Sequence, residues 1–274
     1  MMANQVSTTF LKRKITLAYA LSYFVALLMT VASLAGLLFS PALYPTQELK
    51  QAFVANDVVN LFIGLPLLLG AMALARRGKL AGLLFWPGAL LYVIYNAIAY
   101  AVALPWTVQF ILYLAQIALS VYAVLRLLAG IDAVAIRQQL TGAVPEKLAG
   151  GVLVGLGGLL FLRTVAQIAG ALSGQQAVAG TEMAVLIADL VCTPLWVVGG
   201  IWLWRKQALG YVGGAGLLFQ ASMLFVGLLV FFLLQPWLAG VPFPVEDFVV
   251  ILVMGMVCFV PMGLFTRGVL TKGM

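Results

Sequence analysis

Long apolar runs occupy positions 15–39, 58–75, 80–103, 107–128, 148–172, 183–204, 210–234 and 248–265, with polar residues gathered into the short breaks between them. A helix needs about 20 apolar residues to cross the hydrocarbon core. In lipid, each backbone N–H and C=O must find a partner within its own segment, so runs of this length predict helices rather than strands. The pattern therefore predicts an all-α membrane protein: a single integral domain, 1–274, with eight transmembrane helices.

The breaks carry most of the charge, and its sign alternates with them. Lys12, Arg13, Lys14, Arg76, Arg77, Lys79, Arg126, Arg137, Lys147, Arg205, Lys206, Arg267 and Lys272 all fall on one side of such a bundle, leaving only Lys50 and Arg163 elsewhere. The positive-inside rule puts that side, and both termini, in the cytoplasm of a cell (plasma or inner) membrane. Composition agrees, with 64% apolar and 8% charged residues against roughly 45–50% and about 25% in soluble domains. The +7 net charge is explained by anionic headgroups facing these breaks, so the expected partner is the bilayer and not nucleic acid. The first run is longer than the roughly 7–15 residues of a signal-peptide core, which predicts an uncleaved first helix.

The longest basic-side connection, 129–146, divides the runs into two groups of four. Asn60-Leu61 with Pro66 and Arg76-Arg77 parallels Asp189-Leu190 with Pro194 and Arg205-Lys206, and Gly88-Ala-Leu-Leu-Tyr92 parallels Gly216-Leu-Leu-Phe-Gln220. The expectation is two parallel four-helix repeats, over 12–128 and 147–270. Glycines cluster at the basic-side starts of the fifth run (Gly150, Gly151, Gly155, Gly157, Gly158) and the seventh (Gly210, Gly213, Gly214, Gly216). Small residues let backbones approach closely, so the bundle should be tightest at that end, or a seam there could join copies in a homo-oligomer or membrane complex.

Polar residues inside the runs recur at helical spacing. The third carries Tyr92, Asn96 and Tyr100; the fourth Gln109, Tyr113 and Gln116; the fifth Arg163 and Gln167; the sixth Asp189 and Thr193; the second begins with Asp57 and Asn60. Arg163 is the costliest, since an Arg near the bilayer centre costs between about 2.5 and more than 10 kcal/mol depending on the scale. Asp189 on the next, antiparallel helix is its expected partner. The simplest role for that pair is to neutralise charge and hold the helices together; the alternative is a ligand site. Asp57, Glu182, Glu246 and Asp247 are expected at helix starts, where free N–H groups favour carboxylates.

Several chemistries are disfavoured. The chain has no His and only two Cys, Cys192 and Cys258, without metal-ligand spacing. This removes His-dependent haem, zinc and catalytic arrangements, and no nucleophile–base pair is recognisable. No metal, cofactor or catalytic residue is expected. The run Asp57-Val-Val-Asn60, Gly64-Leu-Pro66, Leu74-Ala-Arg76-Arg77-Gly78, Tyr92 and Tyr95-Asn96 resembles a group of uncharacterised polytopic prokaryotic membrane proteins. The resemblance is best over helices 2 to 4 and implies the membrane class without implying an activity.

The functional expectation is a permease-like or small-ligand-binding protein. Its polar pocket, built by helices 2 to 6 in the outer half of the membrane, would hold a small anionic or polar ligand. Arg163 and Asp189 would form its charged centre, with Asn60, Asn96, Gln116 and Gln167 orienting the ligand and Tyr92 and Tyr100 lining the walls. The alternative is a non-catalytic scaffold or accessory subunit of a membrane complex, in which the same stripes make interhelical hydrogen bonds.

Overall fold

The computed structural model describes residues 10–174 and 177–272. These are 86% helical without strands, and eight of their helices are long and apolar enough to cross a membrane. They are α1 (Thr16–Leu38), α2 (Gln47–Arg76), α3 (Leu80–Ala103), α4 (Val108–Gly130), α5 (Glu146–Leu172), α6 (Gly180–Trp204), α7 (Gly210–Ala239) and α8 (Val245–Lys272). Short helices Ser40–Leu43 and Ala133–Leu140 fill two of the connections. The protein is an integral, multi-pass membrane protein.

Successive helices run in opposite directions, so the thirteen basic residues collect at one end of the bundle, called here the basic end. The connection there is tied down: Lys12 N–H donates to the Gly130 carbonyl at 2.8 Å and Asp132 N–H to that of Phe10 at 2.7 Å. Asp132 caps the Ala133–Leu140 helix by accepting from Val134 and Ala135, and the latter hydrogen bond leads in holding its carboxyl below the usual carboxylate range. Buried Glu146 accepts from the Tyr211 hydroxyl at 2.9 Å and from Gly142 N–H at 2.7 Å, joining the starts of α5 and α7.

The largest departure from the expected bounds is at the start of α2, although α7 and α8 also run past theirs, to Ala239 and over Val245–Lys272. α2 begins not near Val58 but at Gln47, where the Thr46 hydroxyl accepts from Leu49 N–H at 3.2 Å. Hydropathy marks the apolar stretch, whereas the hydrogen-bonded cap sets the start of the helix. Asp57 is consequently no cap: it lies within the helix and is wholly buried. Past Asp57 the helix widens into a π-type turn, Asn60–Gly64, just ahead of Pro66, whose missing N–H interrupts regular pairing. Glu182, Glu246 and Asp247 do sit in first turns.

α3 is the central post, with 78% of its most apolar stretch buried against 28% for α4, α5 and α8. It crosses α7 where Gly88 meets Gly216, the two glycines that the repeat reading aligns. The rings of Phe85 and Phe219 stack at 5.0 Å beside this crossing. α5 packs on α6 through Gly150 against Gly200 and Gly157 against Thr193 and Trp196. Gly151, Gly155 and Gly158 have open space where a Cβ would stand, so the GxxxG pair faces away from the chain's own helices.

At the opposite end a second, smaller core assembles from α1 to α4 and the turn before α2. It contains Tyr44, Leu49, Phe53, Tyr100, Leu104 and Tyr113. Trp106 and Trp237, 89% and 87% exposed, stand at this end as interfacial aromatics do.

Candidate functional site

Between these cores the helices part. A cavity of about 410 Å³ is lined by α2, α3, α5, α6, α7 and α8. The glycine seams hold α3–α7 and α5–α6 close toward the basic end, and at the cavity α7 presents Leu224, Leu228 and Phe231 together with Gly227, which packs on Tyr92. Trp196, whose indole N–H donates to Gln220 Oε1 at 3.1 Å, lies on the basic-end side of the cavity. Gln220 in turn donates to the Leu91 carbonyl at 3.1 Å. This chain ties α6, α7 and α3 together there.

One wall is polar. Arg163 lies nine residues from the Leu172 end of α5 and Asp189 nine from the Gly180 start of α6, so both lie roughly 13 Å along their helices at 1.5 Å per residue. Both line the cavity. They do not form an ion pair: among the described residues the salt bridge found is Lys12–Asp132, at 3.5 Å. Asp189 Oδ1 instead accepts from the Tyr95 hydroxyl at 2.9 Å, while the Arg163 side chain is exposed at the cavity edge. Tyr95, absent from the sequence-based site, is thus the partner of its acid. It sits one residue off the Tyr92–Asn96–Tyr100 stripe, and no periodicity singles it out.

Asn96 lines the same wall. It accepts from Asn56 Nδ2 at 3.2 Å and donates to the Tyr92 carbonyl at 3.0 Å. At the mouth, Glu48 Oε1 accepts from both the N–H and the hydroxyl of Thr181, at 2.9 and 2.7 Å, linking α2 to α6. The facing wall is apolar, with Leu224, Leu228, Phe231, Ile251 and Met254.

Of the residues singled out from sequence, Arg163, Asp189, Asn96 and Tyr92 share the cavity. Tyr100, Gln116, Gln167 and Asn60 lie outside its lining. Tyr100 turns to Asp57; Asn60 and Gln116 are buried, and Gln167 is partly buried, one turn from Arg163 toward the far end of α5. α4 contributes nothing to the lining, and α7 and α8 take its place. Cys192 and Cys258 are buried free thiols, and no group of metal-ligating side chains occurs among the described residues. Comparison with protein-family models, curated proteins and solved structures finds no match to this chain.

Proposed function

We propose that the cavity is the ligand site of a permease-like or small-ligand-binding membrane protein. The observation that carries this reading is the juxtaposition of an unpaired guanidinium, Arg163, and a separately held carboxylate, Asp189, on a wall shared with Asn56, Asn96 and Glu182 and faced by apolar side chains. A charged side chain at this depth that is not neutralised within the protein marks a substrate or ion path. Mostly apolar pockets with few placed polar groups suit small organic ligands. The chemistry that fits is a small amphipathic molecule whose anionic group meets Arg163, whose donor group meets Asp189 or Asn96, and whose body lies on α7 and α8. With the basic end in the cytoplasm, as the positive-inside rule assigns it, the cavity opens to the outer half of the membrane.

A second reading has one observation in its favour. Asn56 and Asn96 satisfy each other across α2 and α3, as they would in a scaffold whose polar groups only join helices.

The test is a thermal-shift screen of purified protein against short- and medium-chain carboxylates, phosphates and amino acids. A ligand bound to the folded state alone raises its stability. The expected hit shifts the melting temperature of the wild type and not of Arg163→Gln. A screen in which no compound stabilises the wild type, or in which Arg163→Gln responds equally, supports the scaffold.

A further inference from the structure

The most tightly enclosed acid in the membrane lies outside the cavity. Asp57, in the first half of α2, is 0% exposed, as are Tyr44 and Tyr100. Tyr44 donates its hydroxyl to Oδ2 at 2.6 Å and Tyr100 to Oδ1 at 2.8 Å. Around this shell, Tyr113 of α4 stacks on Tyr100 with ring centroids 4.7 Å apart and takes a hydrogen bond from Gln109 at 3.3 Å.

No countercharge is present: among the described residues no Lys or Arg stands within ion-pair distance of Asp57. From the elements packed around α2, the titratable groups are Tyr44, Tyr100 and Tyr113 on this side, Tyr92 and Tyr95 of α3 with Glu182 and Asp189 of α6 on the cavity side, and Tyr19 and Tyr23 of α1 toward the basic end. The part of α7 that packs against α2, Ala215–Ala239, carries no titratable residue, and on α2 itself Glu48 and Lys50 lie two turns or more toward the helix start.

Two opposed effects act on such a carboxyl. Burial without a cation disfavours its ionised form, while hydroxyls donating to it favour that form. Hydroxyls both donate and accept, so the two tyrosines can serve COOH or COO⁻ by turning their hydrogens. On its α1 side the carboxylate is packed against backbone: a methyl group on Gly36 would overlap it.

The surroundings extend this polar site in two directions. Toward the basic end, Asn60 follows on α2, and Gln116 and Ser120 follow Tyr113 on α4. All three are buried, and Asn60 Oδ1, Gln116 Nε2 and Ser120 Oγ have no protein partner. Toward the cavity, the Phe53 ring packs at 4.3 Å on Tyr100 and 5.7 Å on Tyr44 while lining the cavity itself. We propose that Asp57, with Tyr44 and Tyr100, is a proton-exchange site of the membrane domain, taking a proton from water and returning it one aromatic ring away from the cavity. The reaction is COO⁻ + H⁺ ⇌ COOH and involves no other reactant. It holds whether or not the cavity takes a ligand.

The test is a pH titration by infrared difference spectroscopy on the purified full chain in lipid nanodiscs, with no ligand added. Among the carbonyl stretches of protonated carboxylic acids at low pH, one band should vanish as pH rises, persist in Asp189→Asn and be missing from Asp57→Asn, whose other carboxyls keep theirs. Tyr44→Phe and Tyr100→Phe each remove a donor to the ionised form. Each should therefore move the loss of the band to higher pH, by about one unit or more. If Asp57→Asn does not fold, these two phenylalanine variants decide the matter. A titration that neither of them moves, an undiminished set of bands in folded Asp57→Asn, or an Asp57 carboxyl that never changes state over the range in which the protein stays folded overturns the proposal.

Discussion

Gly88 of α3 and Gly216 of α7 meet backbone to backbone, with no space for a methyl group on Gly88 against the Gly216 carbonyl. The contact lies one or two turns above the basic-end starts of both helices, below the cavity, and it sets how closely the two central helices approach. Lipid tails offer no hydrophobic drive for helices to associate, so this dispersion contact, with the Phe85–Phe219 stack and the Gln220–Leu91 hydrogen bond, holds α3 to α7.

Gly88→Ala should therefore lower stability in detergent by about 1–3 kcal/mol, the usual cost of overpacking, even though Ala is intrinsically the better helix former by about 1 kcal/mol. Gly151→Ala is the control. Its position is open, so the same substitution should be neutral or stabilising there. Thermal unfolding of the two variants side by side checks both. Equal behaviour would mean that the α3–α7 crossing is not close-packed.

The Tyr95–Asp189 hydrogen bond makes a second prediction. Tyr95→Phe deprives a half-buried carboxylate of its donor, at a cost of about 1–3 kcal/mol. In a double-mutant cycle, Tyr95→Phe should couple to Asp189→Asn, while Arg163→Met and Asp189→Leu should add within about 0.5 kcal/mol, because the latter pair does not meet in the folded state. Strong coupling between Arg163 and Asp189 would restore the ion pair that the sequence suggests.

A water-accessible cavity predicts selective labelling. A cysteine at Leu228, on the cavity wall, should react with a small soluble thiol reagent in the folded protein, and one at Leu218, 0% exposed, should not. The native Cys192 and Cys258 are both 1% exposed and should stay silent without being removed. Mass spectrometry after a short exposure reads all four sites. An inert Leu228→Cys would mean that reagent and water do not enter.

Membrane orientation is checked in intact cells. Ser173 lies beyond the end of α5, and Gln138 lies in the Ala133–Leu140 helix at the basic end; both are exposed. An impermeant thiol reagent should label Ser173→Cys and spare Gln138→Cys if the basic end faces the cytoplasm. The reverse pattern would turn the cavity mouth to the inside.

What the sequence determined by itself is what each segment must do alone in lipid. Helicity, the number of spans and the gathering of basic residues at one end follow from hydropathy and charge, because backbone hydrogen bonds in a membrane must close within the segment. The shared depth of Arg163 and Asp189 follows from the same counting. Tertiary structure decided which faces meet. A helix turns about 100° per residue, so a small rotation about its own axis changes a side chain's neighbours without changing its depth. Seams at Gly88, Gly150, Gly157 and Gly216 set those rotations. They bring Tyr95 rather than Arg163 to Asp189. They direct the α4 stripe and Tyr100 onto Asp57 and close the cavity with α7 and α8. Asp57 itself was legible only as an acid beside an apolar run. It became a buried carboxyl because Thr46 starts the helix before it and the Tyr44 and Tyr100 hydroxyls converge on it from either side.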